Sequence, residues 1–229
     1  MIPLRDTIPS RHTPLVNYGL MVLCTLVFLY QFFFSRDFQN FILTFALIPA
    51  RYQYLTAVDP FNWMGRYLPF FTAIFLHGGW LHFLSNMLYL WIFGDNVEDS
   101  MGHGLYLLFF LSTGFFAFFT HYLLHASSPV PTLGASGAIA GVMGAYFLFY
   151  PQARIVTLVP IFFFVQIIEI PAVAFLFLWF IIQFYAGTTA WLGGSVGGVA
   201  WWVHVGGFLS GYFIARLILE INRRNRRGV

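Results

Sequence analysis

Apolar residues fall into six long blocks along the chain, separated by stretches richer in glycine, proline and polar residues. A bilayer core takes about 20 residues of helix, so the pattern predicts six spans. They run over Leu15–Phe34, Trp80–Val97, Leu105–Leu124, Leu133–Tyr150, Pro171–Ala190 and Val196–Leu219. The loop after the first span is long, reaching about Phe70, and holds "FILTFALIPARYQYL", too brief and too proline-broken to cross. It is expected to fold onto the membrane surface. The segment Ile155–Ile168, fourteen apolar residues containing Pro160, is also too short for a span and is expected in the interface. The fold class is therefore all-α, a polytopic six-helix bundle with a membrane-associated first loop. Residues 1–14 form an N-terminal segment, 15–219 the membrane domain and 220–229 a basic tail.

Composition excludes a soluble alternative. The chain of 229 residues is 59% hydrophobic and 8% charged, with a mean hydropathy of +0.77, more apolar surface than one soluble core could hide. Cys24, the single cysteine, lies in an apolar run and reads as a small core residue. All eleven basic residues are arginine. With six spans, Arg5, Arg11, Arg154, Arg216, Arg223, Arg224, Arg226 and Arg227 share one side, against Arg36, Arg51 and Arg66 in the first loop. Eight against three puts both termini in the cytoplasm. The basic tail is expected to anchor at the membrane surface rather than bind nucleic acid. No small-residue cleavage site follows the first apolar run, so no cleavable signal peptide is expected, and a bacterial plasma membrane is the expected location.

The chemistry starts from "PTLGASGAIAGVMGAY", residues 131–146, where a serine sits between glycines in an apolar context. A hydroxyl in hydrocarbon needs a partner, so Ser136 is either packing glue or a nucleophile with a base beside it. Spans two, four and six enter from the same face, and near their starts lie His82 and Asn86 (i and i+4 on one helical face), Ser136 and, roughly two turns in, His204. Ser136, Ala140 and Gly144 line one stripe of span four with Gly137 and Gly141 beside it; His204, Gly207 and Gly211 line a stripe of span six. Small residues let two helices approach closely, which brings an imidazole within reach of the Ser136 hydroxyl. The backbone N–H of Ser136, the Asn86 amide and His82 are candidate donors to an oxyanion. Asp95, Glu98, Asp99 and Glu169 are expected at the opposite ends of their spans, so no carboxylate completes a triad. The inventory allows a Ser136–His204 dyad, with no metal and no cofactor.

Each of these residues also has a plainer reading. A glycine-flanked membrane serine is more often packing glue, and His82 with His204 are also suited to ligating a haem. The joint occurrence of four polar groups at one depth favours the dyad. His12, His103, His121 and His125 fall near span ends, where a solvated role is the default.

These residues resemble the rhomboid family of intramembrane serine proteases. The resemblance rests on "GASG" followed by "AGVMGAY", "HVGGF" in span six, the His82-to-Asn86 spacing, "GDNVEDSMG" and Arg66–Tyr67 in the first loop, and runs from about Arg66 to Tyr212. It implies Ser136 as nucleophile, His204 as general base, and His82 and Asn86 around the oxyanion. It implies transmembrane protein substrates, single-pass proteins cut near the membrane surface. Ala140 stands where some members carry an aromatic that stacks on the histidine, and Gly65 stands where "WR" is often found. Alternatives are an inactive rhomboid-like protein that binds transmembrane helices and a histidine-ligated cofactor protein. Span five is the expected gate, its aromatics in Phe175–Phe180 and Phe184 meeting span two.

Overall fold

A computed structural model describes residues 1–161, 164–193 and 200–227. Its helices are α1 (Leu15–Leu29), extended by a π-helical turn over Tyr30–Phe34, α2 (Phe38–Phe45), α3 (Pro49–Val58), α4 (Trp63–Thr72), α5 (Trp80–Met101), α6 (His103–Leu124), α7 (Ser136–Phe149), α8 (Ala172–Leu192) and α9 (Trp201–Arg227). Four stretches, Leu15–Phe34, His103–Leu124, Ala172–Leu192 and Trp201–Asn225, are long and apolar enough to cross a membrane. Their outward faces are apolar too: Val22 and Leu26 of α1, Leu108 of α6 and Ile182 of α8 are exposed. That arrangement belongs to a solvent of lipid tails, and the protein is an integral, multi-pass, helical membrane protein.

The central helix is α7. It is the shortest of the bundle helices, with 14 residues spanning about 21 Å against a hydrocarbon core of about 30 Å, and Gly137 through Tyr146 are all buried. Its start comes three residues later than the expected Leu133, which leaves Ser136 as the first helical residue. Packing against α9 is backbone on backbone. A Cβ added at Gly207 would collide with the Gly137 carbonyl oxygen, and one at Gly211 with that of Gly141. On the other side, Gly114 of α6 lies against Ala138 and Ile74.

The first loop is helical rather than irregular. Asp37 caps α2 by accepting from the Asn40 N–H (3.1 Å), and Arg51 of α3 donates to the Leu43 and Ala46 carbonyls at the end of α2 (2.6 and 2.7 Å). Pro49 begins α3, where its missing N–H costs nothing. Phe61, Trp63 and Met64 are exposed, the apolar surface expected of a loop that lies on lipid.

The segment expected in the interface forms a sheet. β2 (Arg154–Ile161) and β3 (Phe164–Pro171) pair antiparallel, Arg154 opposite Pro171 and Ile161 opposite Phe164. The N-terminal strand β1 (Ile2–Asp6) adds antiparallel to β2, giving the order β1-β2-β3. β-branched residues at Ile155, Val156, Thr157, Val159, Val165, Ile167 and Ile168 favour strand, and pairing satisfies backbone groups that an irregular interfacial chain would leave open. Residues 1–14 are thereby tied to the bundle rather than trailing from it. The last helix also runs on past the expected end at Leu219, to Arg227, with an Arg216–Glu220 pair (3.2 Å) one turn apart. The expected start of that span, Val196, lies outside the described residues.

Candidate active site

The candidate site forms where the starts of α5, α7 and α9 meet the middle of α8. Its floor is fixed from below and from the side. The Leu47 and Thr132 backbones exchange hydrogen bonds (3.1 and 2.7 Å), and the Gly134 N–H donates to the Ala73 carbonyl (2.8 Å), so the chain entering α7 is held by the first loop. Gly134 has φ of +120°, a conformation that side chains rarely adopt, and a Cβ there would lie 2.6 Å from His82 Nε2. Glycine lets the backbone just before Ser136 press against His82.

His204 Nε2 lies 2.9 Å from Ser136 Oγ, so the two residues singled out from sequence are hydrogen-bonded. His82 and Asn86 face them across a cavity of about 820 Å³ that is also lined by Tyr89, Ile139, Met143 and Trp179. Asn86 is buried, and its Nδ2 has no hydrogen-bond partner among the described residues. A buried amide donor left open in a cavity wall is a place prepared for an acceptor. His82 Nδ1 accepts from the Gly78 N–H (3.3 Å), which leaves Nε2 on the side of Gly134. The N–H groups of the first turn of α7 have no intrahelical acceptor, the first such bond being Ile139 N–H to the Ala135 carbonyl (2.9 Å). His204 stands one turn into the described part of α9 and lines the same cavity as Ser136, His82 and Asn86.

Two residues packed behind the site escape a reading of the sequence. His77, first residue of "HGGWLH", is fully buried, its backbone clasped by the Gln31 amide (2.6 and 3.3 Å) and its ring edge-on to Phe28 and Phe83 and 5.3 Å from the His82 ring. Gln183 of α8 is buried, and its Oε1 lies 2.7 Å from His204 Nδ1. Both were signalled in principle, as polar residues within long apolar runs. The absent aromatic at Ala140 is offset from another helix: the Trp179 ring of α8 lies 5.9 Å from the His204 ring.

The aromatics of α8 do not follow the expectation that they meet span two. Phe180 packs on Phe208 (5.0 Å) and Phe184 on Trp202 (5.7 Å), both in α9. Nor are all the remaining histidines solvated. His121 is buried and stacked on His125 (4.7 Å), whereas His12 bonds Asp99 (2.6 Å) and His103 bonds Glu98. Among the described residues no three His, Cys, Asp or Glu side chains come together as metal ligands would.

Known proteins share parts of this sequence. A family model described as the Rhomboid domain matches residues 64–221, more than half of the chain. The rhomboid protease GluP of Bacillus subtilis is 40% identical over 81 residues, 35% of this chain and 15% of that protein. The mitochondrial presenilin-associated rhomboid-like protein A of Danio rerio is 31% identical over 99 residues, 42% of this chain and 26% of that one. Rhomboid protein 1, mitochondrial, of Saccharomyces cerevisiae is 32% identical over 91 residues, 38% of this chain and 26% of that one. In each case the matched stretch covers about a quarter or less of the relative's length.

Proposed function

Because this chain belongs to the rhomboid family, we propose that it is an intramembrane serine endopeptidase acting through Ser136 and His204 on the transmembrane segments of other membrane proteins. The observation that carries the reading is the 2.9 Å contact between Ser136 Oγ and His204 Nε2 at the wall of a cavity. A serine hydroxyl is a weak nucleophile until a base takes its proton, and His204 Nε2 is in place to do so. Ser136 Oγ attacks the scissile carbonyl, the C=O π pair moves to oxygen, and the hydroxyl proton passes to Nε2. The oxyanion is met by the Ser136 N–H at the positive end of α7 and by the open Asn86 Nδ2. His204 then gives its proton to the leaving amine nitrogen as the C–N bond breaks. Water, deprotonated by the same imidazole, hydrolyses the acyl-enzyme and restores both groups.

A transmembrane substrate must reach this cavity from lipid. Tyr89 of α5 and Trp179 of α8 both line it, so the gap between these two helices is the route we assign to lateral access. Six spans, with the Arg-rich side and both termini in the cytoplasm of a bacterial plasma membrane, complete the proposal. Labelling with a fluorophosphonate tests it directly. Wild-type protein is expected to label and Ser136→Ala to remain unlabelled; a wild-type chain that folds yet neither labels nor cuts a model transmembrane substrate would overturn the protease reading.

A further inference from the structure

A serine–histidine dyad leaves one matter open: what makes the imidazole present a lone pair, rather than a proton, to the serine. Neutral histidine carries one N–H, and Nε2 serves as base only if that proton sits on Nδ1. In sites of the Ser-His-Asp kind a carboxylate holds the proton there. Every acid of this chain except Glu220 lies in β1, the first loop, the far end of α5 or β3, away from His204, and Glu220 pairs with Arg216 at the far end of α9.

We propose that Gln183 of α8 is the positioning residue for His204, its amide oxygen accepting the Nδ1 proton and so fixing the tautomer and ring plane in which Nε2 faces Ser136. The inference rests on the dyad reading and deepens it. Four observations converge. Gln183 Oε1 lies 2.7 Å from Nδ1 while Nε2 contacts Ser136 Oγ at 2.9 Å, so both ring nitrogens are used and the chain of three groups is continuous. Gln183 is buried, where an amide without a partner would be costly. Gly187, one turn further along α8, has Trp201 and Trp202 of α9 so close that a Cβ would meet them at 3.2 and 3.3 Å, and this close approach sets the reach of the amide. Trp179, one turn earlier, flanks the same imidazole.

A neutral amide orients the ring but adds no charge beside it. Its oxygen is the functional end: rotating the amide would point an N–H at Nδ1, enforce the Nε2–H tautomer and remove the base. Because Gln183 rides on α8, the helix that borders the access route, the base is fully oriented only while α8 is docked on α9.

The variants Gln183→Met, of similar size without the acceptor, and Gln183→Glu, which restores it with a charge, test this in the full-length protein. Gln183→Met is expected to slow turnover and fluorophosphonate labelling together by roughly 10- to 100-fold, below the ~10⁴-fold lost when a triad carboxylate is replaced by an amide that imposes the wrong tautomer, with KM within about twofold. Gln183→Glu is expected to recover most of that rate and to move the acid limb of the kcat/KM profile to higher pH, since a carboxylate favours the imidazolium. Nitrogen-15 NMR of labelled histidine, with the His204 signal assigned by its loss in His204→Ala, reads the tautomer without reference to activity. Wild type is expected as Nδ1–H and Gln183→Met as a mixture. An Nε2–H tautomer in wild type, turnover of Gln183→Met within twofold of wild type, or a loss matched by lowered thermal stability and not rescued by Gln183→Glu would each overturn the positioning role. Absence of Ser136 labelling in wild type would instead overturn the protease reading, with the tautomer still deciding the role of Gln183.

Discussion

The two ends of the bundle use polar residues in opposite ways. At the end away from the cavity, the Glu98 carboxylate is almost wholly buried and fully engaged: it accepts from the Val16 and Asn17 N–H groups (2.9 and 2.7 Å) at the start of α1 and bonds His103. Asn17 donates to the Leu90 carbonyl (3.1 Å) and accepts from Tyr106 Oη (2.9 Å), while Asp6 accepts from Asn96 and Tyr146 (2.8 and 2.5 Å). At the cavity end, Asn86 Nδ2 and both ring nitrogens of His77 have no partner among the described residues. Satisfied buried groups hold helices together; an open donor costs stability and persists where something else is to be bound. The difference therefore separates a polar cap that builds the fold from the polar site proposed to act on a substrate, although Asn96 Oδ1 shows that even the cap is not wholly closed.

The sharpest way to break this contrast is at the dyad. Ser136→Ala and His204→Ala are each expected to abolish cleavage of a model transmembrane substrate, Ser136→Ala with thermal unfolding near that of wild type. Because the two act as a unit, the double variant is expected to be no slower than either single one. Losses that multiply in the double variant would mean that the residues contribute independently and that the 2.9 Å contact is packing.

Asn86 gives the next largest effect. As a donor made useful only when charge develops on the carbonyl oxygen, it is expected to contribute about 10²–10³ in kcat with KM little changed. Stability is expected to hold in Asn86→Ala, since the amide proton it removes is bonded to nothing among the described residues. A raised KM at constant kcat would assign Asn86 to substrate binding instead.

Glu98→Ala reverses the pattern. It strands the Val16 and Asn17 N–H groups and the positive end of α1, so it is expected to lower stability by about 3 kcal/mol or more. Turnover per folded molecule should stay near wild type at temperatures where the variant is folded. If turnover collapsed in protein that unfolds normally, the cap would belong to the working site and the contrast would fail.

Much of this was legible in the chain because lipid simplifies the pattern. Long apolar blocks marked α1, α5, α6, α8 and α9, and glycines on α7 and α9 told which helices touch, since only a residue without a side chain permits the Gly137–Gly207 approach. Ser136, His204, His82 and Asn86 stood out because polar groups are few in such blocks. What failed to show depended on partners distant in sequence. Ile155–Ile168 read as too short for a span, but its strand conformation did not show: β2 and β3 pair locally, and the third strand, Ile2–Asp6, lies about 150 residues earlier, where nothing local announces it. Glu98 read as an acid at a span end, whereas it caps a helix about 80 residues away. Gln183 read as one more residue of an apolar span because its meaning lies in facing His204.

The smallest expected effect probes the seam where the β-sheet joins the cap. Burial pushes the Asp6 carboxyl above its ordinary value, outweighing the Tyr146 hydrogen bond that favours the charged form. A carboxyl with a raised folded value stabilises the fold most below its unfolded value of about 4, and that contribution is lost as pH rises through the folded value. Docking of β1 should therefore weaken as pH is raised from about 4 toward neutrality, the opposite of a salt-bridged acid. Asp6→Asn keeps an acceptor for Tyr146 and cannot ionise, so its thermal midpoint is expected to vary less with pH over this window than that of wild type. Comparing the two proteins removes the titration of acids and histidines remote from Asp6, which both share. Parallel midpoint curves would mean that Asp6 is as well hydrated folded as unfolded and that β1 lies looser on the cap than its register with β2 implies.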